Sequence, residues 1–267
     1  MKKTSRIQTF LRSNIRQKNE KPTHTRIGNN SLEIHGGSYN IDYKDEKKFQ
    51  QFKDAYYTSV IKRSKHEYLT EIQDRENGGP ILVDLDFKFG KDVDERIFDN
   101  EIINDLVDTY ADTIGTYFDL SNIDNYQVYV LQKESMNFDN SDYNKDGIHI
   151  QFPDLHMKHR EQMFLRDKVM KKINAEIFQP SKIEFKNSLD DIFDKSISEG
   201  RTGWMVYGSR KPGDKPYKVF YKYVVTVSQY GGGETKSEEI SDNDSEDYEF
   251  DYELEEKDLN TEKQKDI

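Results

Sequence analysis

Cysteine is absent from all 267 residues. That gap removes disulfides, cysteine-ligated zinc modules and thiol catalysis together, and it fits a reducing compartment. Apolar side chains are sparse as well, 33% of the chain against 34% charged, which is lean for a globular protein. No run approaches the roughly 18 apolar residues of a membrane span, so no membrane partner is expected. The start, Met1-Lys2-Lys3-Thr4-Ser5-Arg6, is basic, but no apolar stretch follows and no secretory signal is expected. No GxxxxGK(S/T) occurs, so a nucleotide-driven motor is not expected within the chain. What the chain does hold is aromatic bulk: 17 Tyr and 15 Phe can fill a core.

The formal net charge is −11, which taken alone argues against a phosphate-rich partner. Its distribution reverses that inference. Residues 231–267 carry 15 acidic and 4 basic side chains, so the whole surplus falls there and residues 1–230 are neutral. Gly231-Gly232-Gly233 opens this segment as a flexible joint. We therefore expect a folded domain over 1–230 and a disordered acidic tail or linker over 231–267. Residues 1–26 have the opposite character, with eight basic side chains against Glu20 alone. Such an arm is either a solvated face or a grip on phosphates.

Periodicity predicts an α+β fold. Ile81, Val83, Leu85, Phe87 and Phe89 form one apolar face of a strand, and Leu82, Asp84, Asp86 and Lys88 form the other. Apolar residues at three- and four-residue steps from Phe98 to Phe118 predict an amphipathic helix. Strands follow at 126–131 and 148–152, the second stopped by Pro153. A helix over 158–178 presents Met163, Phe164, Val169, Met170, Ile173 and Ile177 inward. Two more strands lie at 204–208 and 217–228. This order is the split β-α-β layout of a ferredoxin-like (RRM-like) sheet on two helices. An N-terminal α/β layer with a helix near 46–62 packs against it.

Asp84 and Asp86, two apart on a strand, have Cα atoms about 6.6 Å apart and side chains on one face. A bare pair of this kind is often a solvated face. The unbroken apolar back face, however, sets where both carboxylates point, and a divalent cation is the usual remedy for their repulsion. His149 lies on the polar face of its strand, two residues after Gly147, which permits close approach by a ligand. Asp190-Asp191-Ile192-Phe193-Asp194 offers a third carboxylate. The turn Gly208-Ser209-Arg210-Lys211 offers N–H groups, a hydroxyl and two cations suited to a triphosphate.

Together these segments resemble the archaeo-eukaryotic primase superfamily. Its signature is an hhhDhD strand, a small-x-His strand and a later hydrophobic-Asp, matched here by Leu82–Asp86, Gly147-Ile148-His149 and Phe193-Asp194. The chain is most similar to the primase domain fused to a helicase in nucleocytoplasmic large DNA viruses. That likeness runs over about residues 20–228 through Thr23–Ile27, Gly36–Tyr39, Glu67–Glu71, Gly79–Phe87, Asp146–Ile150 and Trp204–Pro212. The resemblance implies synthesis of primers from nucleoside triphosphates on single-stranded DNA during viral replication, with two Mg²⁺ or Mn²⁺ ions and no zinc. Asp84 and Asp86 would hold the ions, with Asp194 as third ligand and Asp191 as its rival. His149 would contact the nucleotide phosphates. Ser209, Arg210 and Lys211 would serve triphosphate or template. A helicase, fused or separate, would be the partner, and the location would be the replication compartment inside the host cell. Two other readings stay open: a metal-dependent nuclease using the same carboxylates, and an inactive nucleic-acid-binding module.

Overall fold

The computed structural model describes residues 5–227 and, as backbone, 252–258. The chain builds two sheets, each with its own core, and is α+β as expected.

The first layer begins with α1 (Arg6–Ser13). Ser5 and Gln8 cap it reciprocally, and Ile7 and Leu11 are buried. β1 (His24–Arg26) pairs antiparallel with β2 (Gly37–Tyr39) on one side and β3 (Leu69–Glu71) on the other. Between them α2 (Glu46–Tyr56) starts where the Asp45 side chain accepts from the Lys48 N–H. It continues as a π-helical turn, Tyr57–Ile61. Phe52, Tyr56 and Val60 recur at four-residue steps and close a core with Ile7, Leu11, Ile41 and Leu69.

The second layer follows the predicted strand and helix closely. β4 (Gly79–Phe89) buries Ile81, Val83, Leu85, Phe87 and Phe89 on one face. α3 (Asn100–Tyr117) starts at the Asp99 cap and lays Ile103, Leu106, Val107, Tyr110 and Ile114 onto that face. β5 (Asn125–Gln132) and β6 (Asn144–Met157) extend the sheet, and α4 (His159–Ile173) lies beside α3 on the same side. The opposite face of β4 and β6 is left to polar side chains.

Three local expectations change. Pro153 does not end its strand. Ile81 pairs with Phe152 and Pro80 with His156, so residues 153–155 form a bulge and β6 runs on to Met157. A bulge is where a proline, lacking a donor, can sit inside a strand. On α4, Phe164 is exposed and Met163 half-buried, while Gln162, Leu165 and Arg166 are buried. The Arg166 guanidinium donates to the Phe193 carbonyl, so the inward face is rotated toward the 190s segment.

The last strands are also placed differently. After α5 (Leu189–Ile192) and α6 (Lys195–Ser198), the predicted 204–208 strand shortens to β7 (Trp204–Met205) and joins the first sheet beside β3. The first sheet therefore has the order β2-β1-β3-β7. β8 (Lys218–Val227) pairs with β5, and β9 (Tyr252–Asp258) pairs with β8, so the second sheet reads β4-β6-β5-β8-β9. A ferredoxin-like sheet would return its last strand to the β4 edge. Here that edge is met by residues 186–194, through Lys186 N–H to the Lys88 carbonyl, a Leu85–Phe193 bridge, and Asp194 N–H to the Asp84 carbonyl. β9 falls within the segment expected to be a disordered tail. The remainder of 231–267 lies outside the described residues.

Candidate active site

A cavity of about 310 Å³ opens between the polar face of β4 and β6, the 194–205 stretch that closes over it, and the turn after β7. Antiparallel register puts Asp84 opposite His149 and Asp86 opposite Gly147. These four residues come from two strands 60-odd positions apart in sequence, and pairing alone brings them onto one surface.

Asp84 is more enclosed than Asp86, their side chains 17% and 30% exposed. The Asp84 Oδ1 lies 3.4 Å from His149 Nε2, at the long limit of contact, and this oxygen has no well-formed hydrogen bond. Burial pushes the Asp84 carboxyl up. His149, Lys211 and Lys145 pull it down further, and the net position is below the ordinary carboxylate range. Asp86 Oδ2 accepts from Lys145 Nζ at 3.0 Å. Burial lowers Lys145, but Asp86 and Asp84 hold it above the ordinary lysine value.

His149 is held by rings. Tyr217 stacks on it with centroids 3.5 Å apart and planes at 18°, and Trp204 leans on it at 4.4 Å. Gly147 makes the stack possible: a Cβ there would lie 2.5 Å from the Tyr217 hydroxyl. The close approach foreseen at Gly147 is thus made by a side chain of the protein. Burial first, then Asp84, Asp86, Asp146 and Asp214, pushes the Tyr217 hydroxyl far above its usual value, so it stays protonated.

The cation side of the cavity is uneven. Lys133 is paired with Asp214 at 2.6 Å and sits over the Tyr217 ring. Arg96 clamps Asp146 with two bonds of 2.7 and 2.8 Å. Arg210 donates its backbone N–H to the Glu67 carbonyl, but its buried Nε has no partner. The Lys211 ammonium makes no hydrogen bond or ion pair among the described residues and bears electrostatically on Asp84, while its carbonyl accepts from the Asp214 N–H. Two of the cavity's cations are therefore uncommitted.

The other candidates separate. Asp194 lines the cavity, and its Oδ1 accepts from the Ser196 N–H and hydroxyl at 2.8 and 2.7 Å, which caps α6. Asp191 is exposed and bonded to Ser188, outside the cavity. Ser209 is buried and committed: its Oγ accepts from the Leu69 N–H and pairs with the Tyr56 hydroxyl at 2.8 Å. Its hydroxyl ties the turn to the first sheet and is not free for a phosphate. Tyr217, Lys145 and Arg96 carried no signal in the sequence that marked them for a site, and Trp204 and Asp146 entered only within segments that carry the family resemblance. In the basic arm, Arg26 is structural, pairing with buried Glu67 at 2.5 Å, while Lys21 meets Glu76 in an exposed surface pair.

For a divalent cation the donor set is two carboxylates, Asp84 and Asp86, the first with a buried partnerless oxygen. Among the described residues no three carboxylate or imidazole groups stand together as a preformed cage. Mg²⁺ needs only one or two carboxylates when phosphates and waters complete its shell, so Asp84 and Asp86 fit it. Asp194 reaches such an ion only with its other oxygen or by leaving Ser196.

Residues 28–223 match the family model described as the C962R protein N-terminal AEP domain, AEP being the archaeo-eukaryotic primases. A protein of Acanthamoeba polyphaga mimivirus, provisionally named a helicase, is 29% identical over 221 residues, covering 82% of this chain and 22% of that protein. The chain thus spans about a fifth of the length of this curated relative. The family match includes every cavity residue named above. No helix among the described residues is long and apolar enough to cross a membrane.

Proposed function

The chain belongs to the archaeo-eukaryotic primase family of C962R type, and from that premise we propose that it is a primase-type nucleotidyltransferase that builds primers from nucleoside triphosphates on single-stranded DNA. The observation that carries this reading is the partnerless Asp84 oxygen beside Asp86, facing two uncommitted cations across one cavity.

In this reading a 3′-hydroxyl attacks the α-phosphate of the incoming nucleotide and pyrophosphate leaves. Asp84 and Asp86, with Asp194 as third carboxylate, would hold two Mg²⁺ or Mn²⁺ ions, which supply charge neutralisation and alignment for the displacement. The protein's own groups do the rest. Arg210 and Lys211 balance the triphosphate charge. His149, fixed between Tyr217 and Trp204, presents a ring nitrogen to phosphate oxygens without rotamer freedom. Lys145, once Asp86 is engaged elsewhere, is left beside the cavity as a further donor. The helicase name of the mimivirus relative supports a helicase acting alongside, in the same chain or another, during viral DNA replication inside the host cell.

The test is incorporation of labelled triphosphates on a single-stranded template with Mg²⁺ or Mn²⁺, using each nucleotide type. Asp84→Ala with Asp86→Ala should lose synthesis by a factor on the order of 10² or more while keeping its fold by circular dichroism. Undiminished synthesis in that variant would overturn the proposal. So would strand cleavage without incorporation by the wild type, which is the nuclease outcome.

A further inference from the structure

Beyond the cavity, the α2 end of the first layer exposes cations and rings side by side. The π-helical turn Tyr57–Ile61 is followed by Lys62, Arg63, Ser64, Lys65 and His66, all exposed. Lys62, Arg63 and Lys65 have no ion pair or hydrogen-bonded side-chain partner among the described residues, unlike Lys21 and Arg26. Ser64 sits at φ +50°, a left-handed turn in this exposed loop. Tyr57 is 59% exposed and Tyr207 47%.

This patch is joined to the cavity through side-chain packing and hydrogen bonds to the 206–210 backbone. Gly208, next to Tyr207, lies so close to Val60 and Ile61 that a Cβ there would be 3.1–3.2 Å from their side chains. The Tyr56 hydroxyl donates to the Tyr207 carbonyl, and Arg210 N–H donates to the Glu67 carbonyl, one residue past His66. The 206–210 turn therefore has Tyr207 and the 62–66 cations on its outer side and the cavity-lining Arg210 and Lys211 at its other end.

We propose that Tyr57, Lys62, Arg63, Lys65 and Tyr207 form a track that holds single-stranded DNA as it runs to or from the cavity. Flexible cations beside exposed rings are what a single strand requires: phosphates pair with the ammonium and guanidinium groups, and bases stack on the tyrosines regardless of sequence. A folded protein partner would instead be expected to meet a flatter apolar surface with fewer lysines. The track rests on the proposed polymerase reading for its direction toward the cavity, but its DNA binding is measured separately.

The experiment is fluorescence anisotropy of a labelled oligonucleotide with the full chain, over a salt series and without triphosphates. Lys62→Glu, Arg63→Glu and Lys65→Glu together should weaken binding at least tenfold and flatten the slope of log K against log salt by about 2, near 0.7 per lost phosphate contact. Tyr207→Ala, an exposed change, should weaken binding about five- to tenfold or more with the salt slope unchanged. Triphosphate binding should be unaltered in both variants. Unchanged DNA affinity in the triple variant overturns the track, as does wild-type chain that binds no single strand at low salt. Loss of binding to phosphatidylserine vesicles with DNA binding intact also overturns it, in favour of a membrane surface. Failure of primer synthesis with variant-sensitive DNA binding preserved counts against the polymerase reading and leaves the track standing.

Discussion

The two layers bury polar groups to opposite ends. In the first, most of the buried polar groups are completed by a neighbour: Arg26 pairs with Glu67, Ser209 with Tyr56 and Leu69, and the Thr25 and Thr70 hydroxyls with each other at 2.7 Å, while the Trp204 indole nitrogen at the cavity edge has none. His24 is enclosed by Phe52 and Tyr43, and burial pushes it down to about 4. In the second, Asp84 keeps an oxygen without a partner, facing the turn whose Arg210 Nε is also unmatched, and His149 faces a carboxylate. Both histidines sit on strands and both are buried. The difference lies in whether the surroundings are finished. A satisfied buried polar group stabilises a fold, whereas an unsatisfied one in a cavity is costly unless a ligand completes it.

The sharpest way to break this contrast is to leave a first-layer partner unmatched. Glu67→Ala takes the buried carboxylate from the half-buried Arg26 guanidinium, leaving it only the His35 carbonyl to donate to, and should cost about 3 kcal/mol. Urea denaturation should show it, with the surviving activity following the folded fraction. A loss of activity at full stability would mean that the first layer belongs to the chemistry. Next in size is the pH response of His24. Its folded value of about 4 lies below the unfolded 6.5, so only the unfolded chain takes up the proton as pH falls between those values. Native stability should therefore decline by up to about 1.4 kcal/mol per pH unit from 6.5 toward 4, and be independent of His24 above 6.5. His24→Gln should remove this component of the slope. An unaltered slope would show that His24 is not held neutral. The smallest effect is expected for Ser209→Ala, at about 1 kcal/mol or somewhat more, with the triphosphate KM unchanged. A KM rise without loss of stability would return Ser209 to the nucleotide-binding role that its sequence context suggested.

Much of the second layer was legible because its signals are local. Strict alternation over residues 81–89 specifies a half-buried strand, and with it the face on which Asp84 and Asp86 lie. The three- and four-residue steps in 98–118 specify the helix that covers the other face. Misreadings occurred where a distant partner decides the outcome. Pro153 looks like a stop until β4 supplies a bulge for it. Residues 204–208 look like one more strand of the same sheet until Trp204 and Met205 pair with β3. Phe164 and Arg166 exchange their expected environments because Arg166 finds the Phe193 carbonyl.

The site divides along the same line. Period-two geometry holds for any strand, so the sequence alone determined that two carboxylates share a surface and that His149 lies opposite an apolar face. It also located the whole charge surplus beyond residue 230. Only the tertiary structure decided that Asp194 and not Asp191 reaches the cavity, because the choice depends on which edge of β4 the 190s segment joins. Only the tertiary structure decided that Ser209 is consumed by the fold and that Tyr217 fills the space over Gly147. Each of those outcomes depends on a contact between residues far apart in the chain, and local periodicity carries no information about such contacts.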